Sequence, residues 1–389
     1  MKYFPLILVA FSSWVFAAPD EETLGKVQGY PVCKVQQIAS DQKCLVGTLS
    51  HMDEVTAARK VAHGAPRELK RLDNPQIDVD AYMAKNRNTG LMVIKDGVVL
   101  AERYNYDRNP ADRLQSYSMA KTVVAMLMGI AIAEGKIVSV DELAAKYVPA
   151  LKGHPYGETK LKDLLTMSSG VDFREDYDGK DDVTALARKT LLQQGPGGAA
   201  SVESFTRRSR PAGTKWYYAS AETEVLSLVV SAATGRNLSE YLSEKIWIPM
   251  GAEADATWLI DGGGHELGFM GLNATLRDWG RLGMLLANYG ELDGKQIIPA
   301  DWVKEATRVH APHLEVGVAS KFNGYGYQTW IVRKDQPFFA LFGVRGQGIY
   351  IDPVGKLVVV HTAVFAGPRD SRAAQFELFF TTMKNLSAQ

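Results

Sequence analysis

The sequence predicts an α+β (multi-domain) protein whose main sheet is assembled from two distant parts of the chain. The segment LMVIKDGVVLAERY, which begins at Leu91, contains two β-rich runs joined by Asp96-Gly97, a dipeptide typical of a tight hairpin turn. Further short β-rich runs, from GYGYQTWIV to KLVVVHTAVF, lie near the C-terminus and are typical of an antiparallel meander. Since the segment between them is mostly helix and loop, we expect hairpin and meander to form one sheet interrupted by a helical insertion.

The chain is long enough for more than one subdomain. Its 389 residues, 46% of them hydrophobic, can bury a large core and exceed what one core comfortably holds. The patterns predict five successive parts: a signal peptide (1–17), an N-terminal extension (18–75), a first part of an α/β domain (76–135), a mainly helical domain (136–259) and a second part of the α/β domain (260–389).

The N-terminus has the pattern of a secretory signal. A short basic start precedes an apolar run, and small residues around Ala17 suit cleavage there. The run is too short and poorly flanked to span a bilayer, although an uncleaved anchor is the alternative. Because no later segment resembles a membrane span, we expect a secreted or periplasmic protein with none in its mature chain.

The two cysteines, Cys33 and Cys44, lie close together near the mature N-terminus. In an exported protein such a pair is expected to form a disulfide, with two free thiols as the alternative. A catalytic cysteine is not expected, because neither lies beside a histidine.

Charge and histidine spacing exclude several classes of function. Lysine plus arginine and aspartate plus glutamate number 44 each, so the net charge of +0 gives no indication of a nucleic-acid partner. The histidines do not occur at the spacing of a metal site. No metal and no organic cofactor are therefore expected.

A small polar cluster, Ser-Tyr-Ser-Met-Ala-Lys, directly precedes a strongly apolar helical run and contains Ser118 and Lys121. The i, i+3 spacing places both side chains on one face of a first helical turn. There the helix dipole and partial burial would both disfavour the ammonium, so the lysine could serve as base for the serine. A helix-capping serine and a solvated lysine are the alternative. Ser40 and Lys43 repeat the spacing without an apolar helix after them, which we interpret as chance.

A second polar cluster, Tyr218-Ala219-Ser220, begins another apolar helix. A tyrosine hydroxyl near a lysine amine can lose or pass a proton, because the cation favours the phenolate. The alternatives are a half-buried aromatic with a bonded hydroxyl, and a shift of the role to the neighbouring Tyr217.

Five segments in this order resemble the serine β-lactamase/penicillin-binding-protein superfamily: SYSMAKTVVAMLMGIAIAEGKI, LKDLLTMSSGVDF, PAGTKWYYAS, EKIWIPMGAE and GVRGQGIYIDP. They are most similar to its branch of class C β-lactamase-like esterases and 6-aminohexanoate-dimer hydrolases. The resemblance implies a β-lactamase/transpeptidase-like fold, with an antiparallel sheet flanked by helices beside an all-helical domain. It also implies that Ser118 is the acylated nucleophile, that Lys121 and Tyr218 share the roles of base and proton donor, and that the site lies between the two domains.

The chain departs from the family pattern in two places. Ser220 replaces the amide of Tyr-x-Asn, and FGVRGQG, beginning at Phe342, lacks the lysine of the third motif. In that segment Gly343 would let the strand approach the acyl group, and Val344 would supply a second oxyanion N–H beside that of Ser118. The resemblance implies that the missing lysine would lie near a carboxylate of the substrate. Arg345 is the candidate to supply that positive charge, and the alternative is that it is an exposed arginine in a turn.

The acidic loop REDYDGKDD adds Tyr177 as a candidate contact for substrate, against the alternative of a solvated loop. The sequence therefore predicts an exported serine hydrolase that cleaves small ester or amide bonds through an acyl-enzyme at Ser118. The alternatives are a D,D-peptidase or β-lactamase, and a catalytically inactive relative that binds penicillin-like ligands.

Overall fold

The structure, a computed structural model, describes residues 17–72, 77–367 and 372–387. Apart from Ala17, the predicted signal peptide lies outside the described residues, so its cleavage stays a prediction. Among the residues that the structure describes, none of the helices combines the length and apolar character that crossing a membrane requires.

The strands are short at the edges of the sheets and longer at the centre. In chain order they are β1 (Ala58–Val61), β2 (Lys70–Arg71), β3 (Asn88–Lys95), β4 (Val98–Tyr104), β5 (Leu114–Gln115), β6 (Ala256–Leu259), β7 (Leu272–Ala274), β8 (Glu291–Leu292), β9 (Lys295–Gln296), β10 (Gly324–Tyr325), β11 (Trp330–Ile331), β12 (Phe339–Gly343), β13 (Gln347–Asp352) and β14 (Leu357–Ala363).

The α-helices include two of fifteen residues and one of sixteen. In chain order they are α1 (Leu45–Leu49), α2 (Met52–Val55), α3 (Asp80–Met83), α4 (Met119–Ala133), α5 (Leu161–Leu165), α6 (Asp182–Lys189), α7 (Ser220–Thr234), α8 (Leu238–Leu242), α9 (Leu276–Ala287), α10 (Ala300–Ala306) and α11 (Arg372–Ser387).

The early hairpin and the late meander form one eight-stranded sheet, as predicted. Its strand order is β10-β11-β12-β13-β14-β3-β4-β2, and every neighbouring pair is antiparallel except β2 with β4. The turn between β3 and β4 has positive φ at Asp96 (50°) and Gly97 (78°), which is the conformation that this dipeptide favours. The pairing of β14 with β3 joins the two ends of the chain.

The main sheet is covered on both faces, which explains its nearly continuous apolar strands. Along β3, Met92 and Ile94 pack on the face covered by α9, whereas Leu91 and Val93 pack on the opposite face with the side chains of α11. The fold is therefore a mixed sheet flanked by helices on both faces, as predicted.

A smaller sheet in the order β1-β6-β7-β5 crosses the predicted part boundaries. Residues 18–75 contribute its strand β1 and also β2 of the main sheet, so this segment is built into the fold. β6 lies at the end of the segment predicted as mainly helical, yet it pairs with β7 of the next part. In the same N-terminal region, Cys33 and Cys44 are joined by a disulfide.

The helical insertion packs against the sheet domain through α4. This helix is buried along its length from Met119 to Ala131 and contacts α7 on one side and β12 and β13 on the other. The N-termini of α4 and α7 and the C-terminal end of β12 consequently converge.

Candidate active site

Ser118 lies at the N-terminus of α4, immediately after a residue with a rare backbone conformation. Tyr117 has φ of 43°, in the left-handed region that costs a non-glycine residue on the order of 1 kcal/mol. Its N–H donates to Gln115 Oε1 (3.2 Å), and its carbonyl accepts from Ser116 Oγ (2.9 Å), which hold the turn. Although Ser118 occupies the N-cap position, its side chain makes no capping hydrogen bond. The hydroxyl is therefore not engaged as a helix cap.

Lys121 is buried, with 1% of its surface exposed, so the solvated alternative is wrong. Its Nζ lies within hydrogen-bond distance of Ser118 Oγ (3.1 Å), Ser220 Oγ (3.0 Å) and the carbonyl oxygen of Phe269 (2.9 Å). Burial lowers the pKa of Lys121 to about 8, although the charges of Glu175 and Glu224 oppose this by favouring the ammonium. A substantial fraction of the amine is therefore neutral near pH 8.

Tyr218 faces the same pair of side chains. Its ring lies 5.1 Å from Lys121 Nζ and is stacked on Trp330 at 5.5 Å. Burial, and secondarily the charge of Glu175, raise the pKa of Tyr218 well above its ordinary value, although a side-chain hydrogen bond with Ser118 opposes them. The raised pKa favours the protonated phenol, which is the form that can give a proton to a leaving group. Tyr217 is 37% exposed and lies against Arg210 instead.

Ser220 links Lys121 to a carboxylate that the sequence did not single out. Glu175 Oε1 accepts from Ser220 Oγ (2.9 Å) and from Tyr177 Oη (2.7 Å), and Glu175 Oε2 accepts from the Ser220 N–H (2.8 Å). Glu175 is 6% exposed although its neighbours in the loop are mostly solvated. Tyr177 therefore reaches the site both as a cavity wall and as a donor to Glu175.

The end of β12 approaches the turn that precedes Ser118 so closely that only glycine fits. A Cβ at Gly343 would lie 2.3 Å from the Ser116 carbonyl oxygen and 3.0 Å from Tyr117 Cβ. Gly343 and Val344 both line the same cavity as Ser118. The role of the Val344 N–H as a second oxyanion donor stays a prediction.

The two arginines near this strand differ in whether they line the cavity. Arg345 has φ of 61°, and its Nη1 donates to the carbonyls of Phe365 (2.9 Å) and Ala366 (2.7 Å) rather than lining the cavity. Arg372, at the start of α11, does line the cavity and lies over the Phe342 ring at 3.9 Å. Arg372, which no motif indicated, thus lies on the cavity wall, as does Lys321.

A cavity of about 540 Å³ opens above Ser118. Aromatic rings form much of its wall, Glu175 and Asp176 lie on it, and residues 319–323 complete it. The aromatic residues that line it are Tyr177, Trp216, Tyr217, Tyr218, Phe322, Trp330 and Phe342. Such a space suits a small molecule with apolar stretches and few polar groups.

Comparisons with known proteins agree with this geometry. The model of the beta-lactamase family matches residues 78–378. A 6-aminohexanoate-dimer hydrolase of Paenarthrobacter ureafaciens is 27% identical over 360 residues, covering 90% of each chain. A solved structure of a candidate 6-aminohexanoate-dimer hydrolase from Bacillus anthracis is 25% identical with a TM-score of 0.79, covering 89% of this chain and 95% of that one. A penicillin-binding protein from Bacillus halodurans, 16% identical with a TM-score of 0.61, covers 78% of this chain and 100% of its own and shares the fold.

Proposed function

Because this chain is a hydrolase that belongs to the beta-lactamase family, we propose that it cleaves small linear amides or esters through an acyl-enzyme at Ser118. The observation that carries this proposal is the buried Lys121 amine, which lies 3.1 Å from a serine hydroxyl that caps no helix. An inactive ligand-binding relative would have no use for a desolvated amine in contact with a serine.

In the acylation step, Ser118 Oγ attacks the substrate carbonyl carbon and its proton passes to Lys121. Lys121 is the base in this proposal, because its pKa is about 8 whereas the pKa of Tyr218 is raised. The new oxyanion accepts from the N–H groups of Ser118 and Val344. When the C–N or C–O bond breaks, the leaving atom takes the proton of Tyr218, which Lys121 then restores.

Deacylation repeats the step with water in place of the serine. Water attacks the acyl carbon, its proton passes to Lys121, and Ser118 Oγ takes that proton back as the acyl bond breaks. Both steps use the same base and the same oxyanion donors, so the free enzyme is regenerated.

The substrate class follows from the cavity and from the relatives. An aromatic wall suits an unbranched methylene chain, such as that of the 6-aminohexanoate dimer named for the relatives. The serine in place of the family amide at position 220 and the missing motif lysine count against efficient β-lactam hydrolysis. We expect amides or esters of linear acids to be better substrates than penicillins.

The test is to incubate the purified protein with 6-aminohexanoate dimer, a short-chain p-nitrophenyl ester and a fluorescent penicillin. Turnover of the linear substrates, with an acyl adduct mapped to Ser118 by mass spectrometry, is expected. No adduct at Ser118 and no turnover of any of the three would overturn the proposal, whereas turnover of penicillin alone would support the D,D-peptidase or β-lactamase alternative.

We also propose that the protein is exported. The Cys33–Cys44 disulfide supports this, because disulfides persist in oxidising compartments. N-terminal sequencing of the protein from the periplasm or medium should begin near Ala18. A chain that stays in the cytoplasm with Met1 retained would contradict it.

A further inference from the structure

Glu175 is a buried acid in contact with the catalytic network, and the mechanism above gives it no role. It lies in the loop between α5 and α6, and its carboxylate accepts hydrogen bonds from both the N–H and the hydroxyl of Ser220. Ser220 in turn is a hydrogen-bond partner of Lys121. The acid therefore touches the base through one intervening hydroxyl.

The direction of these hydrogen bonds is restricted by the number of protons. A serine hydroxyl has one proton, and an ionised carboxylate can only accept. Since Ser220 gives its proton to Glu175, its oxygen is left as an acceptor toward Lys121. The Phe269 carbonyl, the other neighbour of Lys121 Nζ at 2.9 Å, is also an acceptor only.

A neutral amine has two N–H groups and one lone pair. With Ser220 Oγ and the Phe269 carbonyl both accepting, the two N–H groups are used, and the lone pair is left for the remaining neighbour, Ser118 Oγ. Were the Ser220 proton free to turn, it could occupy that lone pair and block the base. We propose that Glu175 is a positioning residue that, through Ser220, aims the lone pair of Lys121 at the nucleophile. This inference rests on the proposed function and deepens it.

Glu175 also acts on Lys121 by its charge, and that effect has a different signature. The groups that face the amine are Glu175 from its loop, Tyr218 and Glu224 from the α7 region, and Ser118 from α4. Burial raises the pKa of Glu224 to about 8, so Glu224 contributes its charge only as the pH rises through that value. Removal of the Glu175 charge would lower the pKa of Lys121, which moves the rising limb of the pH–rate profile to lower pH. Loss of orientation would instead lower the plateau above that limb.

The Glu175→Gln variant separates the two effects. A glutamine keeps the shape and can still accept from the Ser220 N–H, but its NH₂ group donates to Ser220 Oγ and so releases the serine proton toward Lys121. We expect a fall of about 10- to 100-fold in the plateau of kcat, together with a limb displaced to lower pH. Asp178→Asn removes one negative charge from an exposed position of the same loop and is the matched control, with no change expected in the plateau.

A double-mutant cycle shows whether Glu175 acts through Ser220. In a Ser220→Ala background, where there is no hydroxyl to orient, Glu175→Gln should cost less than about twofold in the plateau. Equal losses in both backgrounds, or an unchanged plateau in Glu175→Gln, would overturn the inference. Thermal melts of all variants establish that they are folded. The wild-type protein is tested for the Ser118 adduct in the same series. Absence of that adduct would contradict the proposed function itself, whereas an adduct with an unchanged plateau in Glu175→Gln would contradict only the inference on Glu175.

Discussion

The chain contains two Ser-x-x-Lys sequences, and their surroundings differ completely. Lys121 is 1% exposed and contacts Ser118 Oγ at 3.1 Å. Ser40 and Lys43 are both exposed, and Ser40 Oγ makes a long hydrogen bond to the Gln37 carbonyl (3.4 Å) in a short 3₁₀ turn. The spacing is the same, but only one copy has an apolar helix that carries the lysine into the interior.

The difference shows that the surroundings of the motif, and not its spacing, determine the properties of its lysine. The i, i+3 spacing puts the two side chains on one helical face and does no more than that. Desolvation lowers the pKa of the buried amine, and the acceptors around it set its orientation. In the proposed mechanism, burial and hydrogen-bond partners are therefore what allow Lys121 to act as a base.

The largest difference between the two Ser-x-x-Lys sequences is expected when each lysine is replaced in turn. Lys121→Ala should lower kcat/KM by about 10⁴-fold, because the serine loses its base. Lys43→Ala should leave it unchanged. Steady-state kinetics on a p-nitrophenyl ester measures both, and equal losses for the two variants would contradict the distinction.

Removal of the phenol next to Lys121 should have the second largest effect. Tyr218→Phe keeps the ring stacked on Trp330 and deletes only the proton donor, so kcat on an amide should fall by about 10³-fold. Tyr217→Phe is the matched control and should change kcat by less than twofold. If Tyr217→Phe lowered kcat as much as Tyr218→Phe, the assignment of the proton donor to Tyr218 would be contradicted.

The close approach of β12 can be tested with one methyl group. In Gly343→Ala the Cβ would meet the Ser116 carbonyl at 2.3 Å, so the strand must move away from Ser118 and kcat should fall by about 10²-fold. Gly195→Ala, whose Cβ would lie no closer than 3.5 Å to any heavy atom, is the control. Activity near that of the wild type in Gly343→Ala would remove Val344 from the oxyanion site.

The smallest expected effect distinguishes the two arginines. Arg372→Gln should raise KM by about tenfold for a substrate that bears a carboxylate, because a charge-assisted contact is lost. Arg345→Gln should not, since Arg345 is not among the residues that line the cavity. A larger increase in KM for Arg345→Gln than for Arg372→Gln would support Arg345, the arginine chosen from the sequence, as the residue that binds the carboxylate.

Local patterns predicted the central sheet and three polar residues that the fold brings together. Ser118, Lys121 and Tyr218 sit at helix starts that the sequence marks, and the Asp96-Gly97 turn fixes the hairpin of β3 and β4. β1 was missed because it is short and pairs with β6 almost 200 residues later in the chain, beyond the reach of any local pattern.

The remaining site residues depend on the finished fold. Nothing in REDYDGKDD distinguishes the buried Glu175 from the exposed Asp176 and Asp178. Arg372 comes from the last helix and meets Phe342 only once α11 has packed on the sheet. Phe269 contributes a backbone carbonyl, which leaves no trace in residue type.

The measurement that tests the account most directly is the pH dependence of the rate at which Ser118 is acylated. A stopped-flow series with a p-nitrophenyl ester should show a rate that rises with pH, with a midpoint at about 8, because the neutral Lys121 amine is the active form. The rise should be absent in Lys121→Ala. A wild-type midpoint near the ordinary lysine value of 10.5, or a rise that survives Lys121→Ala, would contradict the claim that burial makes Lys121 the base.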